Sequence, residues 1–222
     1  MAETVGPYAR ALGAATGDLD PQLQTYFPGV PRGAVGRGSG VFDVVGTPRR
    51  WLRIALGPVM RTLQRRGVVP AGWHTGITFE IENRVVRGRA VAVRTLHLPN
   101  GPWQMRDAVR LTASGALVDT IGSRPTVAAT FAPRVESGGL ALRSTRVAVG
   151  AGRLAVRLPR ALSPVVTLSE RAVPSGLQGV SLTIDAPFLG RIYEYAGTFR
   201  YVVEPASDSD STEASPTEKS TP

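Results

Sequence analysis

Two carboxylates of this chain occupy positions where an alternating pattern of apolar residues directs them inward. The segment VVTLSERAV, residues 165–173, places Glu170 on a face that otherwise holds apolar side chains. The segment WQMRDAVRL, residues 103–111, does the same with Asp107. Side chains of a strand alternate between its two faces, so both carboxylates are predicted to point to the buried side. We therefore expect carboxylate chemistry inside the fold: a polar anchor or a proton carrier.

A buried carboxylate must be ion-paired, hydrogen-bonded or neutral, which leaves two interpretations of Glu170 and Asp107. In the first, each belongs to a structural pair with an inward arginine or tyrosine. In the second, they are polar anchors at the bottom of an apolar cup, the usual layout of a small-molecule site. An enzymatic form of the second interpretation uses Glu170 as a general acid or base with Tyr195 beside it.

An aromatic series follows near the end of the chain, in APFLGRIYEYAGTFRYVV, residues 186–203. Its four aromatic residues share one face of a predicted strand: Tyr193, Tyr195, Phe199 and Tyr201. Gly197 interrupts that face, where a missing side chain lets a strand coil sharply or another group approach closely. We expect a long, bent strand with its aromatic side chains turned inward.

The elements that must position these residues are mainly strands. From about residue 74 to residue 203 the apolar pattern has a period of two, and turn residues recur about every 8–12 positions. The strongest hairpin signal is Asn100-Gly101. Nine or ten strands exceed what a flat sheet holds comfortably. The sequence predicts an α+β, mostly β fold: a large, strongly curled antiparallel sheet or β-barrel-like cup with N-terminal helices packed on it.

Helices are predicted near residues 7–27 and 48–66. Asp20 is an N-cap for a helix that starts at Pro21, and Pro58 is expected to kink or split the second helix. The second helix is amphipathic and rich in arginine, so it either covers the sheet or lies on a membrane. We predict one β-rich domain over residues 1–204, then a disordered acidic tail rich in Ser, Thr and Pro over residues 205–222.

Composition limits the chemistry further. The chain has no cysteine, which excludes disulfides, thiol catalysis and cysteine-ligated metals. Its two histidines have no metal-binding spacing, so we expect no metal and no cofactor. The net charge is +9, but the arginines are spread along the chain without a base-stacking stripe, so no specific nucleic-acid site is expected. With no signal peptide and no transmembrane segment in the sequence, a cytoplasmic protein is predicted.

The ending SERAVPSGLQGVSLTIDAPFLGRIYEYAGTF resembles the closing signature of the bacterial domain of unknown function 4166 family. The matching positions are Glu170, Gly179, Pro187, Gly190, Tyr195 and Gly197. Upstream, GRGSGVFDVVGTPRRWLRIALG resembles the family's glycine-led strand running into a helix, and Trp103 with Arg106 resembles its tryptophan and arginine. The family's aromatic residue after that arginine is absent, since Asp107 and Ala108 stand there. Relatives can be fused behind a nicotinamide-cofactor-binding module, which implies a redox enzyme as a partner.

The leading hypothesis is a β-cup that binds a small, largely apolar ligand as an accessory to such an enzyme. Trp103, Tyr193 and Tyr195 are expected to form its wall, and Glu170 with Arg106 or Asp107 to supply its polar groups. A second hypothesis is an enzyme that uses Glu170. A third is a module that binds an anionic polymer or a membrane surface through the arginines of residues 49–66.

Overall fold

The strands of this computed structural model form one antiparallel sheet that closes on itself. The structure describes residues 5–27, 29–31, 33–123, 126–150, 156–157, 159 and 161–206. Ten of its strands make a closed ring, because β6 pairs with β7 as well as with β5. The predicted curled sheet or barrel is confirmed, and the ring is complete. The strands are β1 (Ala34–Gly46), β2 (Trp73–Val86), β3 (Arg89–Leu98), β4 (Gly101–Leu111), β5 (Leu117–Ile121), β6 (Val127–Glu136), β7 (Gly139–Val149), β8 (Val156–Arg157), β9 (Val165–Val173), β10 (Leu177–Ala186) and β11 (Gly190–Pro205).

Neighbouring strands of the ring are mostly neighbours in sequence, as in a meander. The ring is closed where the first strand meets the last: β1 pairs with β11 from Ala34↔Pro205 to Gly46↔Glu194. β8 lies outside the ring, paired with the last two residues of β7, while β9 pairs with the first half of β7 along the same edge. The hairpin between β3 and β4 turns at Pro99 and Asn100, one residue before the predicted Asn100-Gly101, because Gly101 already pairs with Leu98.

Short helices cover the two ends of the barrel. At one end are α1 (Pro7–Leu12), a 3-10 turn (Gly13–Asp18) and α2 (Pro21–Tyr26). The predicted cap of α2 is confirmed, since Asp20 Oδ1 accepts a hydrogen bond of 3.1 Å from the backbone N–H of Gln22. Between β1 and β2, at the other end, are α3 (Arg50–Ala55) and α4 (Gly57–Arg65), separated at the predicted position beside Pro58. No helix within the described ranges is long and apolar enough to cross a membrane.

The barrel core falls into two clusters. One is aromatic and lies on the β1, β2, β10 and β11 side, where Phe42 stacks on Phe79 with ring centroids 3.9 Å apart. The other combines smaller side chains of β4 to β7 with Leu19, Leu23 and Phe27 from the N-terminal helices. The glycine-rich strand β1 is 13 residues long.

Gly197 of β11 is explained by a close approach of β1. A Cβ at Gly197 would lie 2.1 Å from the carbonyl oxygen of Val41, so no side chain fits between the two backbones. The inward aromatic face of β11 is confirmed, because Tyr193, Tyr195 and Phe199 are buried. The single-domain assignment over residues 1–204 stays a prediction, and most of the predicted tail, residues 207–222, lies outside the described residues.

Candidate functional site

The barrel encloses a cavity of about 130 Å³. Its wall is mainly apolar and is built from every strand of the ring except β2 and from both helical ends. Tyr8 and Tyr26 contribute from the N-terminal helices, and Val68, Val69 and Pro70 contribute from the segment that follows α4. Four charged or acidic residues line the same space: Arg94, Asp107, Asp119 and Glu170. Ionisable side chains are rare in such an interior unless they are paired, so this combination is the first candidate for a site.

Arg94 and Asp107 form an ion pair inside the barrel. They reach each other diagonally across the β3–β4 pairing, where Asp107 lies opposite Ala92 and Arg94 lies opposite Met105. Asp107 is 6% exposed and Arg94 is 18% exposed. Burial lowers the pKa of the Arg94 guanidinium, but Asp107, Tyr195, Tyr26 and Asp119 together outweigh burial and raise it. Burial raises the pKa of Asp107 as well, and Arg94 opposes that shift. This is the structural pair with an inward arginine that the first interpretation required.

Glu170 has a neutral partner. Its carboxyl accepts a hydrogen bond from the side-chain amide of Gln178, which is buried on the neighbouring strand β10. Burial raises the pKa of Glu170 to about 7, against the opposing effects of Arg94 and of the Gln178 hydrogen bond. A carboxyl group with such a pKa changes its protonation state near neutral pH. The predicted inward orientation of Glu170 and Asp107 is confirmed.

Asp119 has one carboxyl oxygen without a hydrogen-bond partner among the described residues, although the backbone of Thr120 hydrogen-bonds to the carboxyl group. It lies opposite Val109 in the β4–β5 pairing, one position diagonal to Asp107. Its Oδ1 atom is buried and has no hydrogen-bond partner among the described residues. Burial, and then the neighbouring charge of Asp107, raise the pKa of Asp119 well above its ordinary value. A buried polar atom without a partner is costly in a folded protein, so this one calls for an explanation.

The expected aromatic wall lies where the sequence placed it. Trp103, Tyr193 and Tyr195 all line the cavity. Trp103 is fixed by its indole N–H, which donates to the backbone carbonyl of Gln64 in α4 at 3.0 Å. Burial raises the pKa of Tyr195, so its hydroxyl stays protonated and is available as a donor. The side chains that line the cavity beside Tyr193 are apolar or aromatic, among them Phe42, Val45, Leu182 and Ile184.

Arg106 is the one predicted site residue that the structure does not bring to the cavity. It immediately precedes Asp107 on β4, so its side chain takes the opposite face of the strand. Arg106 is exposed there and lines a groove on the outside of the barrel with Arg37 and Glu82. The sequence hypothesis offered Arg106 or Asp107 as the polar group beside Glu170, and of these two only Asp107 lines the cavity.

Sequence reasoning missed four residues of the site: Arg94, Asp119, Tyr8 and Tyr26. For two of them the signal was present. Arg94 stands on the apolar face of RAVAVRTLHL between Ala92 and Leu96, and Asp119 stands between Leu117 and Ile121. The alternation rule that identified Glu170 would have identified both. Tyr8 and Tyr26 are placed by the packing of α1 and α2 against the barrel end, and no periodic pattern reports that packing.

The histidines do not join this site. His74 Nε2 lies 2.9 Å from the carbonyl oxygen of Ala71, and the exposed His97 lies 3.5 Å from a carboxylate oxygen of Glu80. Over the part of the chain that the structure describes, no group of three or more His, Asp or Glu side chains is arranged to hold a metal ion. The cavity can therefore offer a mixed polar surface: one compensated ion pair, two carboxyl groups whose pKa is raised, and hydroxyl groups of tyrosine.

Comparison with known proteins identifies a family for this chain. Searches of curated proteins and of solved structures each found no match to this chain. The model of one family, described as Domain of unknown function (DUF4166), matches residues 19–199 and so covers every strand of the ring except the end of β11. The chain belongs to the DUF4166 family.

Proposed function

We propose that the barrel binds a small, largely apolar molecule that carries one hydrogen-bond-donating group, such as a hydroxyl or an amine. The observation that carries the proposal is the buried Oδ1 of Asp119, which has no partner among the described residues, in a cavity whose wall is mainly apolar. A ligand donor at this atom would satisfy it, and the aromatic and aliphatic wall would accept the rest of the molecule. Apolar cavities of roughly this size take up molecules as large as benzene.

The charges inside the barrel favour a donor over an acceptor on the ligand. Three carboxyl groups face one guanidinium, and that guanidinium is already occupied by Asp107. The groups left over, on Asp119 and Glu170, are hydrogen-bond acceptors whenever they are ionised. In that form they would repel a ligand that carries a carboxylate or a phosphate. A neutral or cationic donor would be attracted.

Native mass spectrometry of the full chain, purified from its source without denaturants, tests the proposal. A co-purifying small molecule is expected in the parent protein and absent after Asp119→Leu, which removes the acceptor. It is also expected to be absent after Ala129→Leu, because Ala129 is an inward, buried residue of the cavity wall. Ala128→Leu on the outer face of the same strand is the matched control and should keep the molecule. Retention of an equal amount in all three variants would contradict the proposal.

A second proposal assigns proton transfer on the bound molecule to Glu170, because its pKa of about 7 suits a general acid or base at neutral pH. In this scheme Tyr195 acts as a donor, since its own pKa is raised and it does not become a base. The two proposals differ in one measurement. Incubation of the parent protein with its co-purified molecule in heavy water exchanges or transforms that molecule only if Glu170 transfers protons to it, and Glu170→Gln should abolish the change.

The accessory role beside a redox enzyme and the cytoplasmic location remain predictions from the sequence. The proposal that the cavity binds a ligand depends on neither of these two predictions.

A further inference from the structure

The barrel end that carries α3 and α4 exposes large apolar side chains that fill no part of the protein. Trp51 and Ile54 of α3 are 53% and 81% exposed, and Val59 of α4 is 56% exposed. Phe188, in the turn between β10 and β11, is 95% exposed. Both helices also bury apolar residues against the barrel, namely Leu52 and Met60. The helices are therefore apolar on two sides, and only one of those sides is explained by the core.

These exposed side chains belong to one end of the barrel. The guanidinium of Arg49, just before α3, donates to the carbonyl oxygen of Leu189 at 3.1 Å, next to Phe188 in the turn. Phe188 itself has φ of 64°, a left-handed conformation that disfavours bulky residues and suits Gly or Asn. The sequence thus holds a phenylalanine at the apex of a turn where it costs stability and packs against nothing in the core. We refer to Trp51, Ile54, Val59 and Phe188 as the apical patch.

The surroundings of the apical patch are basic. Residues 44–79 contain no Asp or Glu and six arginines: Arg49, Arg50, Arg53, Arg61, Arg65 and Arg66. None of the six forms an ion pair with another residue in the described ranges. The acidic residue nearest to Phe188 in sequence, Asp185, is paired with Arg191 at 3.0 Å. The positive charge around the patch is therefore uncompensated within the described part of the protein.

We propose that this end of the barrel docks onto the surface of anionic membranes, with the apical patch inserted at the headgroup boundary and the arginines on anionic lipid headgroups. Amphipathic helices with tryptophan and aliphatic residues on one face and arginine on the other bind membranes in this way. Nucleic acid fits less well, because contacts with a phosphate backbone would not bury the exposed apolar side chains of Ile54 and Val59. The proposal goes beyond ligand binding in the cavity and does not require it.

Vesicle flotation with the full chain is the test, with phosphatidylcholine vesicles that contain phosphatidylglycerol as the probe. We expect binding to these vesicles and little binding to pure phosphatidylcholine. Ile54→Ser combined with Phe188→Ser should weaken the binding by about tenfold or more, because both apolar contacts are lost. Arg50→Gln combined with Arg53→Gln should weaken it and reduce its salt dependence. Val202→Ser, at an exposed valine on the outer face of β11, is the matched control and should bind like the parent.

Intrinsic fluorescence gives a second readout that does not depend on flotation. Trp51 is exposed, so insertion should shift its emission to shorter wavelengths when anionic vesicles are added, and Trp51→Phe should remove the shift. Absence of binding at low ionic strength would overturn the proposal. Binding that is lost with the arginines but unchanged by Ile54→Ser and Phe188→Ser, or equal affinity for duplex DNA, would assign the surface to polyanions instead. Circular dichroism melts would verify that each variant is folded.

Discussion

The two helical ends of the barrel differ in what they do with their apolar side chains. At the N-terminal end, Leu19, Leu23 and Phe27 are all at most 2% exposed and complete the core of the β4 to β7 side. At the α3–α4 end, Leu52 is buried in the same way, but Ile54, two residues later, is 81% exposed. The N-terminal helices α1 and α2 form a plug whose apolar side chains are buried against the barrel. At the other end, α3 and α4 bury apolar side chains on their inner side and expose them on their outer side.

This difference separates two roles that a helix at a barrel end can have. The N-terminal helices give the cavity Tyr8 and Tyr26, and the pKa of both phenols is raised by burial. Both tyrosines also line a smaller pocket together with Arg94 and Asp107, so they lie beside the polar part of the cavity. The α3–α4 end instead gives the cavity the apolar segment Val68, Val69 and Pro70. The polar chemistry of the site is thus near the plugged end, and the apolar wall continues toward the end with the apical patch.

The sharpest test of the contrast replaces one apolar residue at each end. Leu23→Ala in α2 leaves a cavity in a fully buried position, so we expect a loss of about 2–5 kcal/mol in the free energy of unfolding. Ile54→Ala in α3 removes an exposed side chain and should change that free energy by no more than about 0.5 kcal/mol. Denaturant unfolding of both variants measures the two values. Similar losses in the two variants would show that α3 is packed on both sides and would remove the basis for the apical patch.

A second prediction concerns the polar end and depends on pH. The pKa of Glu170 is raised from 4.5 to about 7, so the folded state binds this proton more tightly than the unfolded state. The resulting stabilisation is complete below about pH 4.5 and is lost as pH rises through about 7, at a total cost of about 3 kcal/mol. Glu170→Gln removes this titration and can keep the Gln178 hydrogen bond. The free energy of unfolding of Glu170→Gln, relative to that of the parent, should therefore increase by about that amount as the pH is raised from 4.5 to above 7.

The comparison needs two further variants. Glu170→Ala leaves Gln178 buried without its partner, so it should cost about 1–3 kcal/mol when compared with Glu170→Gln. Glu136→Gln, at an exposed glutamate, controls for the loss of a negative charge. If Glu170→Gln follows the parent at every pH, the raised pKa is wrong, and with it the proton-transfer proposal.

A smaller effect is expected from the cap of α2. Asp20→Ala removes the acceptor for the backbone N–H of Gln22 and should reduce the free energy of unfolding by about 1 kcal/mol. Asp18→Ala, two residues earlier at an exposed position without a capping contact, should cost less. Thermal melts of the two variants give the difference. Equal losses of stability in the two variants would mean that the Asp20 cap does not stabilise α2 and that only its buried face does.

The smallest effect should come from the acidic tail. Residues 207–222 contain no large apolar residue, so their removal should leave the melting temperature within about 1 °C of the parent value. A large decrease would mean that the tail is docked on the folded body, with the basic α3–α4 end as the first surface to examine.

Strand alternation predicted which face of its own strand each of several site residues occupies. It placed Glu170, Asp107, Trp103, Tyr193 and Tyr195 on the inner face correctly. It could not predict which inward groups are in contact, because the Arg94–Asp107 pair depends on the register between β3 and β4. The lack of a partner for Asp119 Oδ1 depends on the side chains that the other strands place around it. The sequence also did not predict whether the sheet closes into a ring. Alternation gives the same pattern in a curled sheet and in a barrel, and the pairing of the first strand β1 with the last strand β11 distinguishes them.

The pairing of β1 with β11 has a consequence for the folding pathway. It joins residues 34–46 to residues 194–205, so almost the whole chain must be synthesised before this edge of β1 finds its partner. Contacts between residues so far apart in sequence slow folding, because the loop between them must be ordered first. During translation β1 presents an unpaired edge that can associate with other chains. Its glycines at positions 36, 38 and 40 deprive that edge of the β-branched and aromatic side chains that favour aggregation. The space on their inward side is occupied by Ile81 of β2 and, once the last strand arrives, by the rings of Tyr201 and Phe199.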